Sequence, residues 1–192
     1  PYFLTAFHCI DVGDPIIGNQ EVWNGWTWIW TDPDEADGIL QAYEIDEAED
    51  WVFRYQYKSP SPVCNGNETM LDDAAFLSFN GSTFRAGWDN TDFALVEMNM
   101  RPTRGNGLFY AGYSRSTIGA TSSVGIHHPR GDVMKISRET GAATATDWED
   151  SGVNTHWLIG FDDGVVQHGS SGSPLFDQNR RIVGQLSGND EY

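Results

Sequence analysis

Short strand-like runs, separated by turn residues, are the feature of this chain that most restricts its fold. The runs are rich in aromatic and β-branched residues and are bounded by Gly, Pro, Asn or Asp, a pattern typical of β-strands. They cover residues 2–6, 51–57, 75–77, 93–98, 107–112, 123–127, 133–137, 156–161 and 182–186. Helical periodicity is weak and is strongest over residues 33–49. Many short strands with frequent turns predict an all-β barrel or sandwich.

Acidic residues outnumber basic residues in this 192-residue chain, with 28 Asp and Glu against 11 Lys and Arg and a formal net charge of −17. Binding to nucleic acid or to an anionic membrane surface requires a basic patch, so neither partner is expected. No apolar run approaches the roughly 20 residues that a membrane span needs. Aromatic residues make up 13% of the chain, which is typical of a folded protein rather than a disordered one.

Residues 11–50 differ from the rest in composition, because they contain many acidic residues and no Lys or Arg. Trp26, Trp28 and Trp30 alternate, which places three indoles on one face of a strand. We favour a strand that covers the core, followed by a solvated acidic loop. The alternative is a metal or carbohydrate site, since residues 32–38 (DPDEADG) form an imperfect calcium-loop pattern. We expect neither a metal nor a cofactor.

A glycine-flanked serine turn, GSSGSP at residues 169–174, carries the most chemical information. Flanking glycines allow a sharp turn that exposes a serine hydroxyl. They also let backbone N–H groups point at one spot, as an oxyanion hole requires. Turns of this composition are also common linkers, so this motif by itself does not identify an enzyme.

Two further motifs accompany the serine turn. His8 follows the apolar run LTAF, and Asp92 precedes the run FALV. A buried Asp that accepts a hydrogen bond from a His ring fixes the tautomer of that ring, whose other nitrogen can then take a proton from Ser. The order His, Asp, Ser resembles that of the trypsin-like serine endopeptidases. It differs from the orders in subtilisins and α/β-hydrolases.

The chain resembles one branch of that class, the bacterial lysyl endopeptidases, which are secreted enzymes that cleave after Lys. The similar segments are YFLTA at 2–6, FYAGY at 109–113, GIHHP at 125–129, KIS at 135–137, GSSGSP at 169–174 and GQL at 184–186. The resemblance covers nearly the whole chain except the acidic segment at 11–50.

This resemblance implies a fold of two six-stranded antiparallel β-barrels, truncated here at both ends. Residues 1–105 would form the N-terminal barrel without its first strands, with the acidic, Trp-rich insert at 11–50. Residues 106–192 would form the C-terminal barrel without its last strand and helix.

The resemblance also implies roles for individual residues. Ser171 is the implied nucleophile, His8 the general base and then acid, and Asp92 the residue that orients His8. The N–H groups of Gly169 and Ser171 would form the oxyanion hole. Contacts with the substrate are implied for Leu186, Ser187, Gly188, Trp148 and Asp190.

Selectivity for Lys depends on the weaker parts of the resemblance. Lysyl endopeptidases recognise Lys with an Asp that follows the Gly-Gln-Leu strand, and Asp190 either fills that role or is a solvated residue. Trp148 either lies beside the catalytic His, as in the family, or packs on the surface. Ser187 stands where this branch often has His, and Phe7 stands where Ala, Asn or His usually precedes the catalytic His.

The cysteines and the paired histidines have simpler interpretations. Cys9 and Cys64 are the only cysteines of the chain. Their counterparts in the family bond to cysteines elsewhere, so the resemblance implies no bridge between these two. His127 and His128 are expected at the end of a strand, before a Pro turn.

Three functions remain open at this point. The first is a secreted or periplasmic serine endopeptidase that acts as a monomer on protein or peptide substrates, with its selectivity for Lys undecided. The second is a catalytically inactive or truncated protease homologue. The third is a secreted β-rich binding module that uses the acidic, Trp-rich segment, although it leaves the three aligned motifs unexplained.

Overall fold

The computed structural model describes residues 1–11, 20–23, 28–31, 38–59, 77–103, 105, 107–148 and 151–189. These residues form thirteen strands and one α-helix, α1 (Ala42–Glu49). The strands are β1 (Tyr2–Ala6), β2 (Gln20–Trp23), β3 (Trp28–Thr31), β4 (Val52–Tyr55), β5 (Leu77–Asn80), β6 (Ser82–Trp88), β7 (Phe93–Met98), β8 (Ser123–His127), β9 (Lys135–Glu139), β10 (Thr144–Thr146), β11 (His156–Leu158), β12 (Pro174–Asp177) and β13 (Ile182–Gln185). The described part of the chain is therefore mostly β-strand, as the sequence predicts.

Strand β7 is the centre of the N-terminal part, where it lies between β1 and β6 in an antiparallel sheet. Its side chains alternate in burial, and Ala94, Val96 and Met98 face the core. This is the period of a strand with one covered face. The covered face packs with Ile10 and Phe53 in one apolar cluster. Burial of a large apolar side chain contributes about 1.5–3 kcal/mol, so this cluster is a main source of stability for the sheet.

Helix α1 packs on the same sheet through its C-terminal end. It begins with a capping box, in which the Glu44 carboxylate accepts a hydrogen bond from the Gln41 N–H at 2.6 Å. Ala48 is buried in the core, and its carbonyl accepts a hydrogen bond from Ser82 Oγ at 2.6 Å. Because Ser82 is the first residue of β6, this bond fixes where the helix docks.

The C-terminal part is a four-stranded antiparallel sheet in the order β13, β12, β8, β9. Strands β12 and β13 form a hairpin whose turn is held by the Asp177 carboxylate. This carboxylate accepts hydrogen bonds from the N–H groups of Asn179 at 2.9 Å and Arg181 at 2.8 Å. Three two-stranded ribbons, β2–β3, β4–β5 and β10–β11, complete the described strands.

Most of the predicted strands occur. The bounds predicted for β1, β7 and β8 match those observed, and the strands predicted at 51–57, 133–137, 156–161 and 182–186 are present with shifted ends. The run at 75–77 lies partly outside the described residues, and Leu77 begins β5. The helical signal over 33–49 is confirmed for Ala42–Glu49.

The structure differs from the sequence prediction at several strands, since β2 and β10 are also not predicted. The run at 107–112 is wrong, because no strand forms there. Gly107 adopts a φ of 72°, which interrupts extended backbone, and Phe109 is 91% exposed. Strand β6 is absent from the sequence prediction. Its register shifts between Phe84 and Ala86, and such a bulge breaks the alternation by which a strand is recognised.

No sheet among the described residues closes into a barrel, so the two six-stranded barrels and the division at residues 105 and 106 stay predictions. Three expectations lie outside the described residues: the calcium-like loop, of which 32–37 are not described, Trp26, and Cys64. Cys9 has a free thiol. No helix in the described ranges has the length and apolar character of a membrane span.

Candidate active site

His8 lies on a short 3-10 turn, Phe7–Cys9, that directly follows β1. Strand β1 pairs with β7 so that Ala6 is opposite Phe93, the residue after Asp92. The pairing therefore brings the two chain segments together although 84 positions separate His8 and Asp92. Phe7 is buried, and its N–H donates to the Asp92 carbonyl at 2.9 Å. An apolar residue before His8 thus anchors the turn.

Asp92 holds His8 by two hydrogen bonds. Its Oδ2 atom lies 2.8 Å from His8 Nδ1, and its Oδ1 atom accepts a hydrogen bond from the His8 N–H at 2.9 Å. Asp92 is 8% exposed and adopts the left-handed conformation, with φ 47° and ψ 38°, immediately before β7. Since the carboxylate can only accept, His8 Nδ1 carries the proton. The other ring nitrogen, Nε2, is left for chemistry.

The pair has strongly perturbed proton affinities. Hydrogen bonding to Asp92, and then to Cys9, raises the pKa of His8 from 6.5 to about 10, although burial opposes the rise. Burial also disfavours ionisation of Asp92. However, hydrogen bonds from the His8 ring, the Ser187 side chain and the His8 N–H outweigh it, and the pKa of Asp92 lies below its ordinary value. Asp92 is therefore an anion that stabilises a cationic His8 ring.

The serine turn packs against the end of β1. Gly172 has a φ of 74°, and a Cβ atom at this position would come within 2.8 Å of the Ala6 N atom. The Gly172 N–H donates to the Leu186 carbonyl at 2.8 Å, and the Leu186 N–H donates to the Ser173 carbonyl at 2.9 Å. These contacts hold the turn between the segment that precedes His8 and the segment that follows β13.

Two backbone N–H groups in the turn stand out. Among the described residues, those of Gly169 and Ser171 donate no hydrogen bond. Those of Ser170, Gly172 and Ser173 are all bonded, to the carbonyls of Gln167, Leu186 and Ser170 respectively. A pair of unbonded N–H groups beside a partly exposed serine is what an oxyanion hole requires.

The Ser171 hydroxyl and the His8 ring are both described, and no hydrogen bond joins them. Bonds of this kind are commonly long in a site without substrate and shorten when substrate binds. The structure therefore brings His8 and Asp92 together directly. It connects Ser171 to them through the packing of Gly172 on β1.

The residues predicted to contact substrate gather around one cavity. A cavity of about 610 Å³ lies beside the serine turn. It is lined by Leu186, Ser187, Gly188 and Trp148, together with aromatic side chains that include Trp157. A Cβ atom at Gly188 would meet the Trp148 ring at 2.6 Å, so the indole lies directly against this glycine. Asp190 lies outside the described residues.

Two functional contacts were not expected from the sequence. The side-chain amide of Gln185 donates to the Asp92 carbonyl at 2.7 Å and to the Thr91 carbonyl at 3.3 Å, which links β13 to the segment before β7. His127 hydrogen-bonds Ser170 inside the turn region at 2.9 Å. The burial pattern of β8 places His127 on the covered face of that strand. A period-two pattern over residues 123–127 is a signal that could have identified it.

The described residues contain no group of three or more His, Cys, Asp or Glu side chains arranged to hold a metal ion. The groups that the described residues bring together are a serine hydroxyl, an oriented imidazole and unbonded backbone N–H groups, a combination that can support acyl transfer.

A β-rich chain in which an aspartate orients a histidine, with a glycine-flanked serine turn close by, is related to the trypsin-like serine proteases. Residues 1–191 match the family described as "Lysyl endopeptidase, C-terminal domain", and the chain belongs to this family. The expected relation to the lysyl endopeptidase branch is thus confirmed.

The chain is also similar to individual proteins, at sequence identities of 30% or less. The lysyl endopeptidase of Pseudomonas aeruginosa is 30% identical over 135 residues, which cover 67% of this chain and 28% of that protein. Two solved structures are also similar. An inactive form of Rv3671c from M. tuberculosis H37Rv is 19% identical with a TM-score of 0.40, covering 59% of this chain and 55% of the other. Deg5 is 20% identical with a TM-score of 0.38, covering 62% and 56%.

Proposed function

We propose that this chain carries the catalytic machinery of a serine endopeptidase, with Ser171 as nucleophile, His8 as general base and acid, and Asp92 as the residue that orients His8. The observation that supports this most strongly is the 2.8 Å contact between Asp92 Oδ2 and His8 Nδ1. It leaves Nε2 as the basic atom of the ring. The turn that carries Ser171 packs against the residues that lead to His8.

The proposed reaction has two stages. Ser171 Oγ attacks the carbonyl carbon of a peptide bond while its proton passes to His8 Nε2, and the Gly169 and Ser171 N–H groups stabilise the resulting oxyanion. The C–N bond then breaks as His8 returns the proton to the leaving amine, and an acyl-serine ester remains. Water attacks this ester after losing a proton to His8, and the proton returns to Ser171 when the carboxylic acid product leaves.

The substrate in this proposal is a peptide segment in extended conformation. Strand β13 lies at the edge of its sheet, and Leu186, Ser187 and Gly188 continue from it along the cavity. The Leu186 backbone is bonded inward to the serine turn. Backbone groups of neighbouring residues in a strand point to opposite edges, so those of Ser187 point away from the turn, where a peptide can add as a further strand.

A covalent probe of serine hydrolases tests the proposal. We expect a fluorophosphonate to label the wild-type chain at Ser171, as read by mass spectrometry of the tryptic peptide. Ser171→Ala should abolish the label, and His8→Ala should reduce its rate by about 10³-fold or more, because the nucleophile loses its base. Ser116→Ala, which changes an exposed serine, is the matched control. A folded wild-type chain that never labels would identify an inactive homologue.

We propose further that the enzyme is secreted or periplasmic, acts as a monomer and prefers Lys before the scissile bond through Asp190. The net charge of −17 favours a cationic residue in the substrate. Digestion of a peptide library should give products that end mainly in Lys, and Asp190→Asn should lower kcat/KM for Lys substrates more than for others. Products with mixed C-terminal residues from the wild-type enzyme contradict this preference.

A further inference from the structure

A buried hydrogen-bond network lies directly behind the serine turn. His127, the last residue of β8, is 1% exposed, and its ring bridges two serine side chains. Nδ1 lies 2.9 Å from Ser170 Oγ, and Nε2 lies 3.0 Å from Ser137 Oγ. Both serines are also 1% exposed, so water does not compete for these bonds. Ser170 is the residue immediately before Ser171.

The hydrogen-bond partners at the two ends of this network determine which atoms donate and which accept. Ser137 Oγ donates to the Val165 carbonyl at 3.4 Å, so it accepts from His127 Nε2. Ser170 Oγ accepts from the Gln167 N–H at 3.3 Å and uses its own proton to donate to His127 Nδ1. Every hydroxyl and ring nitrogen then has a partner, provided that the ring is neutral. Burial lowers the pKa of His127, which favours that neutral form.

The network connects the turn to the sheet behind it. The Ser170 N–H is also bonded to the Gln167 carbonyl at 2.9 Å, so both its backbone and its side chain are fixed. The two unbonded N–H groups, on Gly169 and Ser171, belong to the residues on either side of Ser170. Rotation about the Ser170 backbone torsions would turn the Ser171 N–H relative to the Gly169 N–H. Fixing this one residue thus keeps the two donors in a constant relative orientation.

We propose that His127 is a positioning residue, which holds the Ser170 side chain and thereby keeps the Gly169 and Ser171 N–H groups aimed at the developing oxyanion. The proposal rests on the proposed function of Ser171. Ser170 is bonded to a neutral ring rather than to a charged group. The alignment of the turn therefore depends on hydrogen-bond direction, and loss of one bond should affect the reaction before it unfolds the chain.

Kinetics of a matched pair of variants test this proposal. Ser170→Ala removes a buried hydroxyl from the network, and Ser82→Ala removes a buried hydroxyl that bonds the Ala48 carbonyl far from the turn. We expect Ser170→Ala to lower kcat by about 10–100-fold with KM within about twofold, because misaligned donors stabilise the transition state less. Ser82→Ala should lower the unfolding temperature by about as much as Ser170→Ala does, since each removes one buried hydroxyl. Its kcat should stay within about twofold of the wild-type value. Equal kcat values for the wild-type protein and Ser170→Ala would overturn the proposal.

Two substitutions at position 127 separate alignment from stability. The Asn side chain in His127→Asn can place an acceptor near the position of Nδ1 and keep the bond to Ser170. The amide in His127→Gln lies near the position of Nε2 and keeps the bond to Ser137. We expect His127→Asn to retain at least about tenfold more kcat than His127→Gln at comparable stability. The reverse order contradicts the proposal.

A third measurement does not depend on activity. If the wild-type chain fails to label with the fluorophosphonate, the proposed function is wrong. Hydrogen exchange of the Gly172 and Ser173 amides then tests the network by itself. These amides should exchange faster in Ser170→Ala than in the wild-type protein and remain unchanged in Ser82→Ala. Unchanged exchange in Ser170→Ala would show that the network does not hold the turn.

Discussion

At the scale of single residues, two hydrogen bonds between Asp92 and His8 define the geometry of the candidate site. One fixes the ring through Nδ1 and the other fixes the backbone of the same residue. The aspartate is 8% exposed, so its side of the pair is shielded from water, while the His8 ring stays partly exposed. The His8 ring is held in a fixed orientation, and Asp92 makes the largest contribution to its raised proton affinity.

The pKa of His8 predicts how activity and stability depend on pH. Because it is raised from 6.5 to about 10, the contribution of His8 to stability is complete below pH 6.5 and is lost as the pH rises through about 10. The contribution of Asp92, whose pKa is lowered, is lost instead as the pH falls into the acid range. A general base must be neutral, so we expect kcat/KM to increase with pH well above 7. A pH profile of peptide hydrolysis measures this, and activity that is already constant from pH 6 upward contradicts it.

Asp92→Asn should return the pKa of His8 toward 6.5, because the charged acceptor is removed while the shape of the side chain is kept. NMR titration of the His8 ring, in the Ser171→Ala background to prevent self-digestion, measures the shift. The same substitution in the active chain should lower kcat by about 10³–10⁴-fold, since the ring loses its preferred tautomer. Asp132→Asn makes the same chemical change at another carboxylate and should leave the His8 titration unchanged.

At the scale of elements, the site depends on where strands end. Strand β1 ends at Ala6 and β7 begins at Phe93, and their pairing places His8, two residues after β1, beside Asp92, the residue before β7. The serine turn ends where β12 begins and rests on the end of β1. Strand ends of three separate elements thus meet at one place. Catalytic side chains on such loops are positioned by the rigid sheets below them.

Substitutions at three glycines distinguish the effect of steric contact with β1 from the effect of backbone strain at a positive φ. Gly172→Ala adds a methyl group against Ala6 at a φ of 74°, so it causes both steric contact and backbone strain. Gly131→Ala causes only backbone strain, at a φ of 72° with open space around it. Gly112→Ala causes neither steric contact nor this strain. We expect losses in the free energy of unfolding of about 1–2 kcal/mol for Gly131→Ala, a further 1–3 kcal/mol for Gly172→Ala, and less than about 0.5 kcal/mol for Gly112→Ala. Urea denaturation measures all three.

Only Gly172→Ala should also slow labelling of Ser171, because only it displaces the turn from the segment before His8. Equal labelling rates in the three variants contradict this account of the contact between the turn and β1.

At the scale of the whole molecule, the site joins the N-terminal and C-terminal sheets. His8 and Asp92 come from the segments around β1 and β7, and Ser171 comes from the segment before β12. The amide of Gln185 in β13 crosses to the Asp92 carbonyl at 2.7 Å, and the Leu186 carbonyl accepts the Gly172 N–H. The segment around Gln185 therefore contacts both the Asp92 segment and the serine turn.

Gln185→Met should reduce kcat/KM by about 10–100-fold, because it removes the donor that bridges the two sheets while keeping a side chain of similar length. Gln178→Met provides the control, since Gln178 is a glutamine whose exposed hydrogen bond to the Thr121 N–H lies away from the site. Steady-state kinetics at matched protein stability distinguish the two. Equal activities would show that packing alone aligns the sheets.

Sequence alone determined the class of fold, the order of the three motifs and the assignment to a protease branch. Those depend on local patterns: alternation in β1, β7 and β8, turn glycines around Ser171, and the residue types beside His8 and Asp92. Such patterns reflect the conformational preferences of neighbouring residues, which act within a few positions.

The tertiary structure decided the contacts between residues far apart in the chain. The bridge from Gln185 to Asp92, the packing of Gly172 on β1 and the burial of His127 between two serines each join separate segments. None has a local signature that fixes its partner, because a glutamine, a glycine or a histidine has the same backbone preferences whatever it later contacts. Strand pairing brings these groups together, through β1 with β7 and β12 with β13 at the candidate site and through β8 with β9 and β12 at His127.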